Sequence, residues 1–374
     1  MARPLPDPLP LDPARLAAEL VASGLAPCAA AACAVKTEGG WRSATGEEGA
    51  HGARLFDLAS LTKPMTAVAF AASGMSRAAR LGEVCPELSA TATGYVCLEL
   101  LLAHRAGLEA HIPAYAPLAS GMAFDGDAAL RLAANARRPD AVVSAEGPVV
   151  GAYGFAPVYS DLGYALAGVA LARHVGAKDA GEAIERGVVR PLGLTTSLGT
   201  ARGLRLAGVD VSSAAPTEDV DWRGGLVVGR VHDENAWALT GEGGSGHAGM
   251  FGTASAVLRF GQAVLDGLEG EGPFGGVDLA WLVAERPGGT LRAGFDGKSL
   301  QGSSAGTRFG PRSFGHLGFT GTSLWIDPDA RIVAVLLTNR VWPSRTRAAD
   351  AIRAARPVAH DALHACATAL LGHG

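Results

Sequence analysis

One segment of this chain holds residues that can break an ester or amide bond. It reads Phe56-Asp57-Leu58-Ala59-Ser60-Leu61-Thr62-Lys63-Pro64-Met65, a Ser-x-x-Lys at the start of a helical pattern. On a helix, positions i and i+3 share a face, about 5–6 Å apart at Cβ, so Lys63 can reach the Ser60 hydroxyl. Serine is a weak nucleophile until a neighbouring base takes its proton. A desolvated lysine can be that base because burial lowers its pKa, whereas arginine does not deprotonate. Four of the 32 basic residues are lysines (Lys36, Lys63, Lys178 and Lys298), so a lysine retained here asks for a reason. The helix start adds free amides and a dipole that favour negative charge, and Pro64 is tolerated in a first turn. Taken alone, the tetrapeptide also fits a helix-capping serine beside a solvated lysine.

Two further segments follow in order: Tyr159-Ser160-Asp161-Leu162-Gly163-Tyr164 and Gly315-His316-Leu317-Gly318-Phe319-Thr320-Gly321-Thr322. Other stretches accompany them, namely Leu101-Leu102-Ala103-His104-Arg105-Ala106-Gly107-Leu108, Pro191-Leu192-Gly193-Leu194, Gly246-His247-Ala248-Gly249-Met250-Phe251 and Leu336-Leu337-Thr338-Asn339-Arg340. With these the chain resembles the serine β-lactamase and penicillin-binding-protein superfamily, in particular its class C-like branch, which includes many esterases. The pattern there is Ser-x-x-Lys, then Tyr-x-Asn, then Lys-Thr-Gly or His-x-Gly. The resemblance runs from about residue 30 to the C-terminal helical pattern.

The resemblance implies an α+β, β-lactamase-like fold: an antiparallel sheet flanked by helices, with an inserted helical domain. It implies Ser60 as nucleophile, Lys63 as base or base partner, and Tyr159 as the group that carries the proton to the leaving group. The backbone amides of Ser60 and Phe319 would form the oxyanion hole, with His316 and Gly318 on the adjoining strand. A glycine-rich strand lets a carbonyl approach the backbone, and two amides then stabilise the oxyanion. No metal and no cofactor are implied.

Two departures from the pattern matter. Asp161 stands where asparagine is usual, and a carboxylate near Lys63 favours the charged ammonium. That shifts weight toward Tyr159 as the base, unless Asp161 is partly protonated or points away. His316 replaces a lysine, and a histidine is mostly neutral at pH 7, so a permanent cation is lost. The expectation is a preference for neutral esters over carboxylate-bearing substrates.

Other residues fit blander roles. His232-Asp233-Glu234-Asn235 with His247 has no metal-ligand spacing and reads as a hydrogen-bonded loop bordering the cleft, which His247 can line. His104 reads as satisfying backbone groups around the helix that ends at Gly107. Trp222, Trp237 and Tyr153 fit an acyl-pocket wall or core packing. Arg223 and Arg340 fit structural roles better than substrate clamps.

Periodicity places the elements that must position these residues. Leu16 to Leu25, Ser60 to about Ser73, Glu99 to His104, Ala128 to Arg137, Leu162 to His174, Ala180 to Val189, Ala254 to Leu268 and about Thr346 to Leu371 read as helices. Ala29 to Val35 leads through Thr37-Glu38-Gly39-Gly40-Trp41 into a second strand. His316 to Ile326 and Arg331 to Asn339 flank a turn at Asp327-Pro328-Asp329-Ala330. If the first and last hairpins pair, they form one antiparallel sheet with the terminal helices on one face. Residues 1–75 and 225–374 then form a discontinuous α/β domain, and residues 76–224 a mainly helical one.

Composition bounds the rest. With 374 residues, 48% hydrophobic, the chain can bury a large core. A net charge of −4 leaves no basic surplus for nucleic acid. Five cysteines fit no zinc or disulfide framework and read as buried hydrophobes in a reducing compartment. No stretch of about 18 uncharged apolar residues suggests a membrane span. Five prolines in residues 3–13 make an irregular leader without the basic and apolar regions of a signal peptide, so a cytoplasmic location is expected. The function expected is a metal-free serine hydrolase working through an acyl-enzyme on a small-molecule ester or amide. The alternatives are a β-lactamase or D-alanyl-D-alanine carboxypeptidase and, in another class, an inactive binding protein of the same fold. Oligomeric state is not indicated.

Overall fold

The computed structural model describes residues 3, 5, 12–49, 55–142 and 153–372, so most of the proline-rich leader lies outside the described residues. In chain order its strands are β1 Cys28–Thr37, β2 Gly40–Gly49, β3 Phe56–Asp57, β4 Leu198–Thr200, β5 Asp219–Val220, β6 Gly225–Leu226, β7 Met250–Gly252, β8 Asp296–Gly297, β9 Phe314–Leu317, β10 Ser323–Asp327 and β11 Ile332–Thr338. Six of them form one sheet in the order β2-β1-β11-β10-β9-β8, every pair antiparallel. The first and last hairpins do pair, with Ala29 opposite Thr338 and Val35 opposite Ile332.

Strand β1 is apolar along most of its length because both its faces are buried, which removes the polar alternation of a half-exposed strand. Ala29, Ala31, Cys33 and Val35 pack under the terminal helices Pro13–Ala22 and Ala349–Ala369. Ala30, Ala32 and Ala34 face the main core, to which the helix Ala254–Leu268 contributes. The first helix starts three residues before its apolar period. Asp12 caps it by accepting from the Ala14 amide, and Pro13 occupies its first position, where no amide is needed.

The expected strand from His316 to Ile326 is two strands. Between them Gly318 donates its amide to the Thr322 carbonyl at 2.8 Å, and Gly321 donates to the Gly318 carbonyl at 3.1 Å. β-Branched and aromatic residues made the run look continuous; its glycines close a tight turn. Gly321 needs its φ of +102°, a conformation other residues rarely adopt. The turn is also tied to the chain before Ser60: Thr320 donates its hydroxyl to the Asp57 carbonyl at 2.7 Å, and Thr322 to the Leu58 carbonyl at 3.0 Å.

Helices Leu98–Leu102, Gly126–Asn135, Asp161–His174 and Ala180–Ile184 lie in the middle of the chain, the last continuing as a π-turn through Val189. This segment also carries β4, which pairs with β7, and β7 in turn pairs with β3. The small sheet thus anchors the residues immediately before Ser60. No helix among the described residues is long and apolar enough to cross a membrane.

Candidate active site

Ser60 sits in a 3-10 turn, Ala59–Leu61, that runs directly into the helix Thr62–Ala72. Ala59 has φ +47°, a left-handed conformation disfavoured for a residue with a Cβ. The buried Asp57 holds it there, accepting the Ala59 amide at 2.8 Å through one carboxylate oxygen and the His232 amide at 2.7 Å through the other. The left-handed step turns the chain so that Ser60 lines a cavity of about 690 Å³. Sequence reasoning passed over Asp57. The signal available to it was an aspartate two residues before the strained position, the spacing of a local side-chain turn.

Lys63 is fully buried under this turn. Its ammonium donates to Ser60 Oγ at 2.9 Å, to Asp161 Oδ1 at 2.6 Å and to the His247 carbonyl at 3.3 Å. The Tyr159 hydroxyl hydrogen-bonds with both Lys63 and Ser60. Asp161 therefore points at the lysine. Burial alone would push the Lys63 pKa down, but the charge of Asp161 and the Tyr159 oxygen more than offset it, and the net shift is upward. Burial works against the Asp161 carboxylate too, yet Lys63 and His111 hold it below the usual carboxylate range. For Tyr159 burial outweighs the help of the ammonium, so its phenol is pushed up. The resting site is an ion pair, Lys63 with Asp161, beside a neutral phenol.

Tyr159 is fixed by its neighbours. His104 stacks on it at 4.8 Å between ring centres, and His316 lies 5.9 Å away. His104 accepts the Ser160 amide at 2.9 Å, so the backbone it satisfies is at the start of the helix that carries Asp161 and not, as expected, around the helix before Gly107. His316 is buried and donates Nδ1–H to the Leu317 carbonyl at 2.8 Å. Burial and the Lys63 charge push its pKa down to about 3, so it supplies no cation. Gly318 and the half-exposed Phe319 line the cavity beside Ser60. A Cβ on Gly318 would fall 1.9 Å from Thr322 Oγ1 and 2.7 Å from the Leu58 carbonyl.

The cleft is nevertheless lined by cations at positions other than 316. Arg340 donates to the Phe319 carbonyl at 2.9 and 2.6 Å, and Arg356 to the Gly318 and Thr322 carbonyls at 2.8 and 2.9 Å. Both line the cavity. Sequence reading weighed Arg340 and missed Arg356, since nothing in a helical pattern says which arginine meets a distant turn. It also missed His111, which lines the cavity with Nδ1 3.8 Å from Asp161 Oδ2.

The residues with blander readings sort themselves. Among the described residues no group of three or more His, Cys, Asp or Glu side chains could hold a metal. His232 pairs with Glu218 at 2.9 Å and lines the cleft. His247 pairs with Asp233 at 2.9 Å and lies behind the wall, touching Lys63 through its carbonyl. Arg223 is structural, donating to the Val231 and His232 carbonyls. Trp222 stacks on Tyr115, a cavity residue, with Trp237 edge-on to it. Tyr153 is exposed and away from the cavity lining.

Known proteins share this arrangement of elements. A class C β-lactamase from Rhodobacter sphaeroides superposes with TM-score 0.63, at 16% identity over 92% of this chain and 98% of that one. A family VIII carboxylesterase superposes with TM-score 0.60, at 19% identity over 94% and 95% of the two chains. In sequence, the chain is 30% identical over 203 residues to an Escherichia coli K12 protein named "Putative D-alanyl-D-alanine carboxypeptidase", a match covering 49% of this chain and 45% of the relative. The chain thus spans about half the length of the curated relatives it matches. The family model described as Beta-lactamase matches residues 14–358, a span that takes in the Ser60 turn, the Tyr159 segment and strand β9, and the chain belongs to that family.

Proposed function

We propose that the protein is a metal-free serine hydrolase that cleaves esters or small amides through an acyl-enzyme on Ser60. The observation that carries this is the buried Lys63 ammonium, shared between Ser60 Oγ at 2.9 Å and Asp161 at 2.6 Å with Tyr159 alongside. The reactive form has shed one proton from the Lys63–Tyr159 pair. Ser60 Oγ adds to the substrate carbonyl and gives its proton to that pair. The amides of Ser60 and Phe319 stabilise the oxyanion. Tyr159 returns the proton to the leaving group as the scissile bond breaks. Water then repeats the sequence on the acyl-enzyme, and Ser60 recovers its proton.

The cleft also supports the two-part division of the chain. His111, Tyr115, Tyr159 and Asp161 come from residues 76–224, while the rest of the cavity wall comes from the flanking segments. An inactive binding protein would have no use for a buried lysine aimed at a serine.

A fluorophosphonate probe followed by intact-mass measurement tests the reading. One adduct is expected, mapping to Ser60 and absent in Ser60→Ala. No adduct, or an adduct on Ser245, overturns it. A second reading, D-alanyl-D-alanine peptide cleavage, rests on the name of the matched relative. Comparing D-alanyl peptides, nitrocefin and short-chain esters at equal concentration separates it from ester hydrolysis.

A further inference from the structure

His111 meets the same carboxylate as Lys63, but from the cleft side. Its ring lines the cavity together with Ser60, and 45% of its side chain is exposed, so water reaches it. Nδ1 stands 3.8 Å from Asp161 Oδ2, while Asp161 Oδ1 accepts the buried Lys63 ammonium at 2.6 Å. Asp161 thus faces two basic groups, one buried and one open to the cleft. His111 Nε2 has no hydrogen-bond partner among the described residues. The main chain on either side of the ring is fixed. The Ala110 carbonyl accepts the Asp161 amide at 2.9 Å, and the Ile112 carbonyl accepts from the buried Asn235 Nδ2 at 2.7 Å. Asn235 Oδ1 in turn accepts the Tyr115 amide at 3.1 Å. Asp161 therefore anchors the loop through its amide and faces the imidazole with its carboxylate.

The two basic groups differ in what they can do at neutral pH. Lys63 rests as an ammonium and Tyr159 as a neutral phenol, both with their pKa pushed up. With its protons in place, that pair can give one to Ser60 Oγ as an acyl group leaves, but it cannot also accept one from water. A neutral imidazole can, because its ordinary pKa is about 6.5. A carboxylate at Nδ1 keeps the ring proton there and leaves Nε2 as the acceptor, the arrangement of a histidine base oriented by an acid. The charged groups facing His111 are Asp161, Asp233, which is paired with His247, and Glu234, which is paired with Arg345. The Asp161 contact raises the imidazole pKa against the effect of burial, and the other two carboxylates add to it, which makes His111 a stronger base.

We infer that His111 is the general base of the second half-reaction, taking a proton from the water that attacks the acyl group on Ser60. The water's O–H bond breaks as its oxygen bonds to the acyl carbon, and the proton goes to His111 Nε2. The bond from that carbon to Ser60 Oγ then breaks, and the Lys63–Tyr159 pair gives Oγ a proton. The imidazolium holds a proton for the one the pair has given up, so the proton count of the site is unchanged. Asp161 serves both halves, holding Lys63 in the first and orienting His111 in the second. This deepens the serine-hydrolase reading and rests on it.

The test uses 4-nitrophenyl acetate, whose good leaving group makes acylation fast and lets hydrolysis of the acyl-enzyme limit turnover. His111→Gln should lower kcat by about 10²-fold or more, while kcat/KM, which reports acylation, stays within about twofold. Stopped-flow traces of the variant should show a burst of 4-nitrophenolate stoichiometric with Ser60, and intact mass should find an acetyl group held on Ser60 during turnover. In the unaltered enzyme kcat should rise with pH through an imidazole ionisation that is missing from the variant. A merely structural role would lower kcat and kcat/KM together without acetyl-Ser60, and that result overturns the inference. So does a variant that keeps the unaltered kcat. If the unaltered enzyme releases no 4-nitrophenolate and Ser60 takes no fluorophosphonate, the hydrolase reading itself has failed, and this inference with it.

Discussion

Asp161 Oδ1 lies 2.6 Å from Lys63 Nζ, where the family pattern usually has an asparagine. The carboxylate holds a proton on the lysine that the reaction must remove from the Lys63–Tyr159 pair. The reactive form therefore appears at higher pH than it would beside a neutral amide. Asp161→Asn should move the acid limb of the kcat/KM–pH profile down by about one unit or more. An unmoved limb would show that Asp161 does not govern the pair. The variant should also be less stable at neutral pH unless Lys63 deprotonates, since a buried charge loses its partner.

Ser60→Ala and Lys63→Arg test the centre directly. Ser60→Ala should lower kcat by about 10³-fold or more with little change in folding. Lys63→Arg keeps the charge but removes a group that can release its proton, so a loss of similar size is expected. The double variant should be no worse than either single one, because the two residues act as a unit. An arginine variant that keeps most of its kcat would make Lys63 an electrostatic residue and leave Tyr159 as sole base.

Gly318→Ala tests how tightly the turn is packed. The new Cβ would meet Thr322 Oγ1 and the backbone carbonyl of Leu58, and the backbone contact has no rotamer to escape into. A loss of about 1–3 kcal/mol in urea unfolding is expected, together with a fall in esterase activity. Gly276→Ala, where a Cβ meets nothing within 4 Å, is the control and should change neither.

Three of the buried imidazoles contribute to a loss of stability in acid, alongside the paired carboxylates. Burial pushes His316 down to about 3 and His360 to about 4, and His104 well below its usual value. Between about pH 6.5 and 4 the unfolded chain binds protons at these sites that the folded chain refuses. Their stabilising contribution is complete above about pH 6.5 and is lost as pH falls toward the folded values, at up to about 1.4 kcal/mol per pH unit for each imidazole. Urea midpoints should therefore drop between pH 7 and 4.5. The drop should be shallower in His360→Gln, whose side chain no longer titrates. An unchanged slope in that variant would mean that His360 is protonated in the fold.

Local patterns carried much of this protein in the sequence. The helix Ala254–Leu268 appears with the bounds its apolar period predicts, and the two hairpins fall where turn residues interrupt apolar runs. Ser60 and Lys63 could be brought together on paper because helical spacing alone puts i and i+3 on one face, and the fold sets them 2.9 Å apart. Tyr159 and the strand at His316 needed a family resemblance, since nothing local links positions about 100 and 250 residues away from Ser60.

What only the tertiary structure decided are relations between segments remote in sequence. The direction of Asp161 depends on how its helix docks against Lys63, which residue type cannot reveal. The break at Gly318–Thr322 comes from hydroxyls of Thr320 and Thr322 reaching the carbonyls of Asp57 and Leu58, a contact invisible to a pattern read along one strand. That Arg340 and Arg356 reach the cleft and the carbonyls of this turn was hidden in the sequence for the same reason. Periodicity states which face of a helix is apolar, but the acceptor an arginine meets is set by the packing of elements far apart in the chain.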